Sequence, residues 1–438
     1  MSHKSIHVGY ITRVEGEGSV HLEIHDGKLT EARLRIFEAP RYFESLLKGR
    51  SIAEAPDITA RICGICPVAY QMSAVHAVEH LAEVVIDGPI ADLRRLLYCG
   101  EWIESHSVHL FMLHLPDFLG YPSLIAMARD DKNLVMRGLH VKKSGNSIIR
   151  VLGGREIHPV NVRIGGFYSI PSSTELKSIL PDLTQATQEM YEIVEILAGL
   201  PYPELEREYE FLALRDDSEY PMCKGRIVSS CGLNISADEF EDAIQEFQVR
   251  GSNALYARIR ARGAYVCGPL ARLALNFDRL PLDLQDLGRR LGLEGGTRNP
   301  YRSILVRALE ILLALSEAER IIKNFVVPPS PSIPVSIKAG SARAATEAPR
   351  GLLYHRYDLD DAGVILAARL IPPTSQNQLA MEDDIRAVLG GHLDESDAII
   401  QGLSERAIRN HDPCISCAAH FLRVTSARHG ARDANLIY

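Results

Sequence analysis

Apolar and polar positions alternate near the start of the chain: Val20, Leu22 and Ile24 have polar neighbours, and Leu34 and Ile36 resume the pattern beyond Asp26-Gly27. A period of two reads as β-strand and Asp-Gly as a hairpin turn, so residues 5–38 are expected to be β. After residue 66 the period lengthens. Ala69, Met72, Val75, His76 and Glu79 fall on neighbouring helical positions, which predicts a helix through about Val85. Helices are also predicted over 91–115, 174–198, 237–260 and 302–325, the last with the stripe Ile304, Leu305, Ala308, Leu309 and Leu312. Residues 145–167 are glycine-rich and read as irregular or β. Pro328-Pro329-Ser330-Pro331 breaks the chain after the last long helix, and strand-like segments follow. The expected fold is mainly α with β excursions at both ends, in one domain.

Composition narrows the function classes. The chain has 438 residues, a formal net charge of -8 and 46% hydrophobic residues, which is ordinary for a globular protein. Mild acidity argues against a nucleic-acid surface, which needs a basic stripe. No run of eighteen apolar residues supports a membrane span. Met1-Ser2-His3-Lys4 leads straight into strand-like sequence without an apolar signal core or twin-arginine signal, so a cytoplasmic setting with reduced thiols is expected. No G-x-G-x-x-G opens a helix, which argues against nucleotide binding by this chain.

Chemistry enters with the cysteines. Cys63-Gly64-Ile65-Cys66 lies near one end and Cys414-Ile415-Ser416-Cys417 near the other. Each C-x-x-C turns two thiolates toward one soft metal, and two pairs supply four sulfurs. One pair alone could be a redox disulfide or half a zinc site, and two pairs alone would most often be structural zinc. A zinc staple usually draws on ligands close in sequence, whereas these pairs join the two ends of a long chain. Cys99, Cys223, Cys231 and Cys267 do not have iron-sulfur spacing and are expected to be buried free thiols. His106, His109 and His114, spaced by three and five, do not share one helical face and are expected to form a satisfied buried network rather than a metal site. His76 and His80 read as core or surface helix residues.

The flanking residues carry a resemblance. Arg61-Ile62-Cys63-Gly64-Ile65-Cys66-Pro67 together with Asp412-Pro413-Cys414-Ile415-Ser416-Cys417-Ala418-Ala419-His420 resembles the nickel-iron hydrogenase large, catalytic subunit. Thr12-Arg13-Val14-Glu15-Gly16-Glu17-Gly18, Pro40-Arg41-Tyr42-Phe43-Glu44, Gly153–Asn161, Glu347-Ala348-Pro349-Arg350-Gly351 and Pro372-Pro373-Thr374-Ser375-Gln376-Asn377 are similar to other segments of that family. Gly100–His106 and the Pro-Pro-Thr-Ser-Gln-Asn stretch resemble its cytoplasmic, NAD(P)-linked (group 3) members. The likeness runs from about Thr12 to His420.

The resemblance implies a long-helix bundle around a buried metal site. Cys63, Cys66, Cys414 and Cys417 would bind nickel, with Cys66 and Cys417 bridging to an iron that carries carbon monoxide and cyanide. Pro349, Arg350 and Thr374 would line the pocket of those diatomic ligands, and Arg350 would also polarise dihydrogen or pair with Asp412. Glu15 would relay a proton from Cys414, although by itself it reads as a solvated turn carboxylate. Glu44 and His420 would hold a magnesium ion. The family's usual histidine four residues after the second cysteine is Tyr70 here, which can donate a hydrogen bond but does not titrate near pH 7. Ser105 stands where many respiratory members have aspartate. The activity implied is reversible heterolytic cleavage of dihydrogen to protons and electrons. The partners implied are an iron-sulfur small subunit, flavin or pyridine-nucleotide electron-transfer subunits, and a maturation protease that removes 421–438 from a single domain spanning 1–420. The alternative is a metal-free or zinc-stapled scaffold subunit of an electron-transfer complex.

Overall fold

The computed structural model describes residues 3–419. Helices α1 (Pro67–Leu81), α2 (Gly88–Ser107), α3 (Lys132–Gly153), α4 (Leu180–Ala198) and α5 (Ser303–Lys323) form the central bundle, and α6 (Pro373–Leu389) and α7 (Asp397–Arg409) follow near the C-terminus. The predicted stripe of α5 is buried with Leu96 and Leu97 of α2, Ile148 and Ile149 of α3, and Ile193 and Val194 of α4. Each buried Leu, Ile or Val in this layer contributes roughly 1.5–3 kcal/mol.

Residues 145–153 correct the expectation of irregular or β structure, for they are the last turns of α3. Their glycines serve packing rather than turns. A Cβ on Gly145 would meet Gly100 O at 2.6 Å and Glu104 N at 2.8 Å, so the missing side chain lets α2 and α3 touch backbone to backbone. Only Val162–Arg163 and Gly166–Phe167 beyond them pair as short strands. The helix predicted over 91–115 begins at Gly88 but changes to a π-helix over Val108–His114. That over 174–198 is a short helix Ser173–Lys177 followed by α4, which starts at Leu180 with Pro181 in its first turn.

The β expectation for 5–38 holds. Strands β1 (His3–Val8), β2 (Gly18–His25) and β3 (Lys28–Ile36) form an antiparallel meander in that order. Asp26 and Gly27 adopt the positive φ angles (48° and 71°) of a tight hairpin turn. Ile6, Val8, Val20, Leu22, Ile24 and Leu34 pack on Met381, Ile385 and Leu389 of α6 and on Ile400, Ala407 and Ile408 of α7. The two ends of the chain are thereby joined through a shared apolar layer.

The helix predicted over 237–260 is not formed. Ser236 and Glu239 make a capping box, but helical structure stops at Ala243 and the chain continues as β4 (Ile244–Gln248) and β5 (Leu255–Ile259), an antiparallel pair. Phe240, Ile244 and Phe247 satisfy a helical spacing, and tertiary pairing overrides that local preference. After the proline break, β6 (Gly340–Ala348), β7 (Gly351–Leu359) and β8 (Ile365–Ile371) form a further three-stranded antiparallel sheet. Helices α6 and α7 were not anticipated in this region.

Candidate metal centre

Cys63 follows the 3-10 turn Ala60–Ile62 in an extended conformation, and Cys66 stands directly before α1. Pro67 opens that helix, where its missing N–H is not needed. The next free donors, Val68 N–H and Ala69 N–H, reach the Glu101 carboxylate at 2.6 and 3.1 Å. Glu101 comes from the middle of α2, so the bundle fixes where α1 and Cys66 begin. Burial pushes the Glu101 carboxyl well above its ordinary range.

The second pair is held from several sides. Cys414 N–H donates to Thr374 Oγ1 at 2.9 Å, at the start of α6. Arg409 at the end of α7 donates to Asp117 at 2.7 and 3.0 Å, to Glu405 at 3.2 Å and to the Thr12 carbonyl at 2.8 Å. Arg13 donates to the same Asp117 and to the Leu113 carbonyl at 2.9 Å. The Nε2 of His109 lies 2.7 Å from the Arg409 carbonyl oxygen and that of His114 lies 2.9 Å from Asn410 Oδ1.

The three histidines are buried as expected, but the network is not fully satisfied, since Nδ1 of His106, His109 and His114 has no hydrogen-bond partner among the described residues, and the expected lack of a shared face also needs correction. Residues five apart do share a face in a π-helix, where i→i+5 bonding replaces i→i+4. The rings of His109 and His114 accordingly lie 4.9 Å apart. His106 Nε2 lies 2.9 Å from Glu310 Oε2. Burial lowers the His106 pKa to about 4 and that of His114 to about 3, leaving both neutral near pH 7.

The two loops meet in the interior. Cys63 Sγ lies 3.4 Å from Cys414 Sγ, Cys66 Sγ 3.7 Å from Cys417 Sγ, and Cys414 Sγ 2.8 Å from Cys417 Sγ. All four sulfurs lie within 4.8 Å of one another and all four residues are buried. No cysteine among the described residues forms a disulfide. Hydrogen bonds from Cys414, Cys417 and Cys66 hold the Cys63 thiol well below its ordinary range. Burial, then hydrogen bonding to its three neighbours, pushes the Cys414 thiol well above its own. Four converging soft donors of this kind suit a thiophilic transition metal.

Around the sulfurs stand the other predicted residues. Cys414 Sγ donates to Glu15 Oε2 at 3.1 Å. Arg350 Nε donates to the Asp412 carbonyl at 2.9 Å, and its Nη2 lies 3.3 Å from Asp412 Oδ1. Burial opposes the Arg350 charge, but Asp412 and the sulfurs of Cys414, Cys66 and Cys63 hold its pKa well above the ordinary value. Pro349 O accepts from Arg272 Nη2 at 2.8 Å. Arg272 also donates to the Ala348 carbonyl, Glu347 and Glu310. Burial pushes the Glu347 carboxyl up to about 7 against the opposing pull of Arg272. Burial, then Cys417, Cys66 and Cys414, keeps the Tyr70 phenol well above its ordinary range and therefore protonated. Glu44 Oε1 accepts Leu370 N–H at 2.8 Å on β8, and His420 lies outside the described residues.

Residues 41–134 match the family described as nickel-dependent hydrogenase. Sulfhydrogenase 1 subunit alpha of Pyrococcus furiosus is 33% identical over 424 residues, covering 96% of this chain and 98% of the relative. The chain belongs to the nickel-dependent hydrogenases, as a large, catalytic subunit. The subunit beta of the NAD-reducing hydrogenase HoxS of Cupriavidus necator is 27% identical over 480 residues, covering 96% of each chain. A crystal structure of an NAD+-reducing [NiFe]-hydrogenase superposes with a TM-score of 0.86 at 25% identity, covering 95% of this chain and 99% of that one.

As a nickel-iron hydrogenase subunit, the chain catalyses reversible heterolytic cleavage of dihydrogen, and its buried four-cysteine site accords with nickel and iron. Several residues that shape this site escaped the sequence reading. Arg41 stands in the Pro40-Arg41-Tyr42-Phe43-Glu44 segment that carries part of the resemblance but is given no role there, yet it donates to the Ile62 carbonyl at 2.7 Å and to the Ser416 carbonyl, one beside each cysteine pair. Its own N–H donates to the Ala419 carbonyl at 3.1 Å. Arg13, Asp117, Arg272, Glu310 and Arg409 form the buried ionic frame. For Glu310 in α5 the signal in the sequence was a charge within an otherwise apolar helical stripe, whereas Arg13 lies outside any helix and carries no such signal. The expected set of buried spare thiols is correct for Cys99 and Cys267, but Cys223 is half-buried and Cys231 is exposed on a loop.

Proposed function

We propose that Cys63, Cys66, Cys414 and Cys417 hold the nickel, with Cys66 and Cys417 shared with an iron carrying carbon monoxide and cyanide. The observation that carries this reading is the convergence of four buried sulfurs within 4.8 Å, with one of them hydrogen-bonded to Glu15. When bound, the metals supply the electron-rich centre at which dihydrogen is polarised and its electrons accepted. Glu15 takes the proton from Cys414 Sγ through the existing 3.1 Å contact and passes it outward. Arg350, fixed by Asp412, keeps a positive charge beside the sulfurs and favours charge separation in its neighbourhood. Pro349 and Thr374 would line the pocket for the iron's diatomic ligands, and Thr374 also sets the Cys414 backbone.

Electrons leave through an iron-sulfur small subunit, since the remaining cysteines of this chain are dispersed. Flavin and pyridine-nucleotide subunits beyond it, with NAD(P) as acceptor, are suggested by the NAD-reducing relatives. A cytoplasmic location accords with those relatives, and no single helix among the described residues is long and apolar enough to cross a membrane. Glu44 and His420 are proposed magnesium ligands. A maturation protease cutting after His420 would end a single domain spanning 1–420. Burial of the segment up to Ala419 supports this, because the polar residues Arg423, Arg428 and Arg432 would be costly to carry inward.

Metal analysis of the purified complex tests the assignment. About one nickel and one iron per chain is the expected result for such a soft four-sulfur site, and zinc alone overturns it.

A further inference from the structure

The solvent face of the N-terminal sheet carries a histidine cluster that the cysteine centre does not use. Alternation along β1 turns His3, Ser5 and His7 outward, while Ile6 and Val8 are buried. Along β2 the sequence His21-Leu22-Glu23-Ile24-His25 does the same, with Leu22 and Ile24 inward. The register sets His3 opposite His25, Ser5 opposite Glu23 and His7 opposite His21. Four imidazoles and a carboxylate therefore share one exposed surface, on the side of the sheet away from α6 and α7.

The side chains already converge. The rings of His3 and His25 stack with centroids 4.3 Å apart. His3 Nε2 lies 2.5 Å from Glu23 Oε2, and ligand atoms of His3, Glu23 and His25 all lie within 4.8 Å of one another. The second carboxylate oxygen of Glu23 lies 2.7 Å from His21 Nε2 and accepts from Ser5 Oγ at 2.9 Å. A tetrahedral ion with bonds of about 2.1 Å needs ligand atoms roughly 3.4 Å apart, which small rotations of these side chains provide. Two cations flank the cluster on β3, the exposed Lys28 opposite His25 and Arg33 opposite His21, and Arg33 is engaged by Glu31 at 3.2 Å and Glu382 at 3.4 Å.

We propose that His3, Glu23 and His25 form a surface site for a borderline divalent transition ion of the zinc or nickel class, distinct from the cysteine centre. Two imidazoles and one carboxylate match the preferences of such ions. They do not suit magnesium or calcium, which take oxygen ligands. The ion staples β1 to β2 and so orders the first strand, with water completing its coordination.

The test uses the assembled, untagged enzyme with its own metals in place. Zinc is titrated by calorimetry, with metal content measured before and after. One additional zinc per chain is expected, with a dissociation constant on the order of micromolar for a three-ligand site. The H3A/H25A double variant should bind it at least about tenfold more weakly, while nickel, iron and hydrogen uptake stay unchanged. Zinc X-ray absorption should show nitrogen and oxygen at about 2.0–2.2 Å without sulfur at about 2.3 Å. Binding that is unchanged in the double variant, absence of the extra zinc, or a sulfur shell around it would each overturn the proposal. An unchanged circular dichroism spectrum of the zinc-free variant shows that a loss of affinity comes from lost ligands and not from unfolding.

Discussion

Glu15 and Cys414 lie 399 residues apart in sequence, yet the Cys414 thiol donates to Glu15 Oε2 at 3.1 Å. The backbone makes the same connection, with Ile415 N–H donating to Glu15 O at 3.0 Å and Ser416 N–H to Glu15 Oε2 at 3.1 Å. Gly16 permits it, since a Cβ there would lie 2.7 Å from the Ile415 Cβ and 2.9 Å from Ser416 N, and its φ of +88° suits glycine. Glu15→Gln preserves an acceptor for Ser416 and removes the exchangeable acid. Nickel and iron content should persist while hydrogen–deuterium exchange with solvent falls at least about tenfold. Unchanged exchange in the fully metallated variant would remove Glu15 from the proton route.

Replacing Cys63, Cys66, Cys414 or Cys417 by serine puts a harder, more basic donor into a buried sulfur cluster. Each variant should lose nickel and hydrogen uptake. Cys99→Ala, in the bundle, and Cys231→Ser, on the surface, should keep both. Full uptake in any of the first four variants would contradict the ligand assignment.

The sequence made the centre legible because its chemistry sits in short contiguous motifs: two cysteine pairs, and single segments carrying Glu15 and Arg350. The bundle was legible where one face is continuously apolar, as in α5. Legibility failed where long-range contacts decide. Gly145 looks like a helix breaker in isolation and becomes a close-packing residue only once Gly100 lies against it. Phe240, Ile244 and Phe247 fit a helix until β5 pairs with the same segment. Arg41 gives no local sign that it spans both cysteine loops, because its partners are backbone carbonyls far along the chain.

The Arg13–Asp117–Arg409 cluster predicts how strongly the C-terminal loop depends on the N-terminal motif. The Asp117 side chain is 5% exposed and that of Arg409 2%. Asp117→Asn leaves the buried Arg409 guanidinium and the part-buried one of Arg13 without their shared anion, and breaking the buried Arg409 pair in this way costs about 3–5 kcal/mol. Urea unfolding should move to a lower midpoint, and nickel occupancy should fall although no metal ligand has changed. A midpoint and nickel content equal to the parent's would show that the cluster is not what secures this end of the chain.

The buried histidines predict an acid-sensitive stability. His114 has its pKa lowered to about 3 from the ordinary 6.5, by burial first and then by Arg307. Below pH 6.5 the unfolded chain takes up a proton at this position and the folded chain does not. The stability it contributes is thus present above about pH 6.5 and is lost progressively as pH falls toward 3. Between pH 8 and pH 5.5 the loss from this one residue is about 1.4 kcal/mol. Burial gives His106, at about 4, the same sign. Carboxyls such as Glu101, raised by burial, work in the opposite direction, so the informative quantity is a difference between variants. His114→Gln retains a donor toward Asn410 Oδ1 and cannot be protonated. From urea unfolding of parent and variant at both pH values, the variant should lose about 1.4 kcal/mol less than the parent on acidification. Equal losses in the two proteins would mean that His114 titrates normally in the fold and that its burial does not govern its charge.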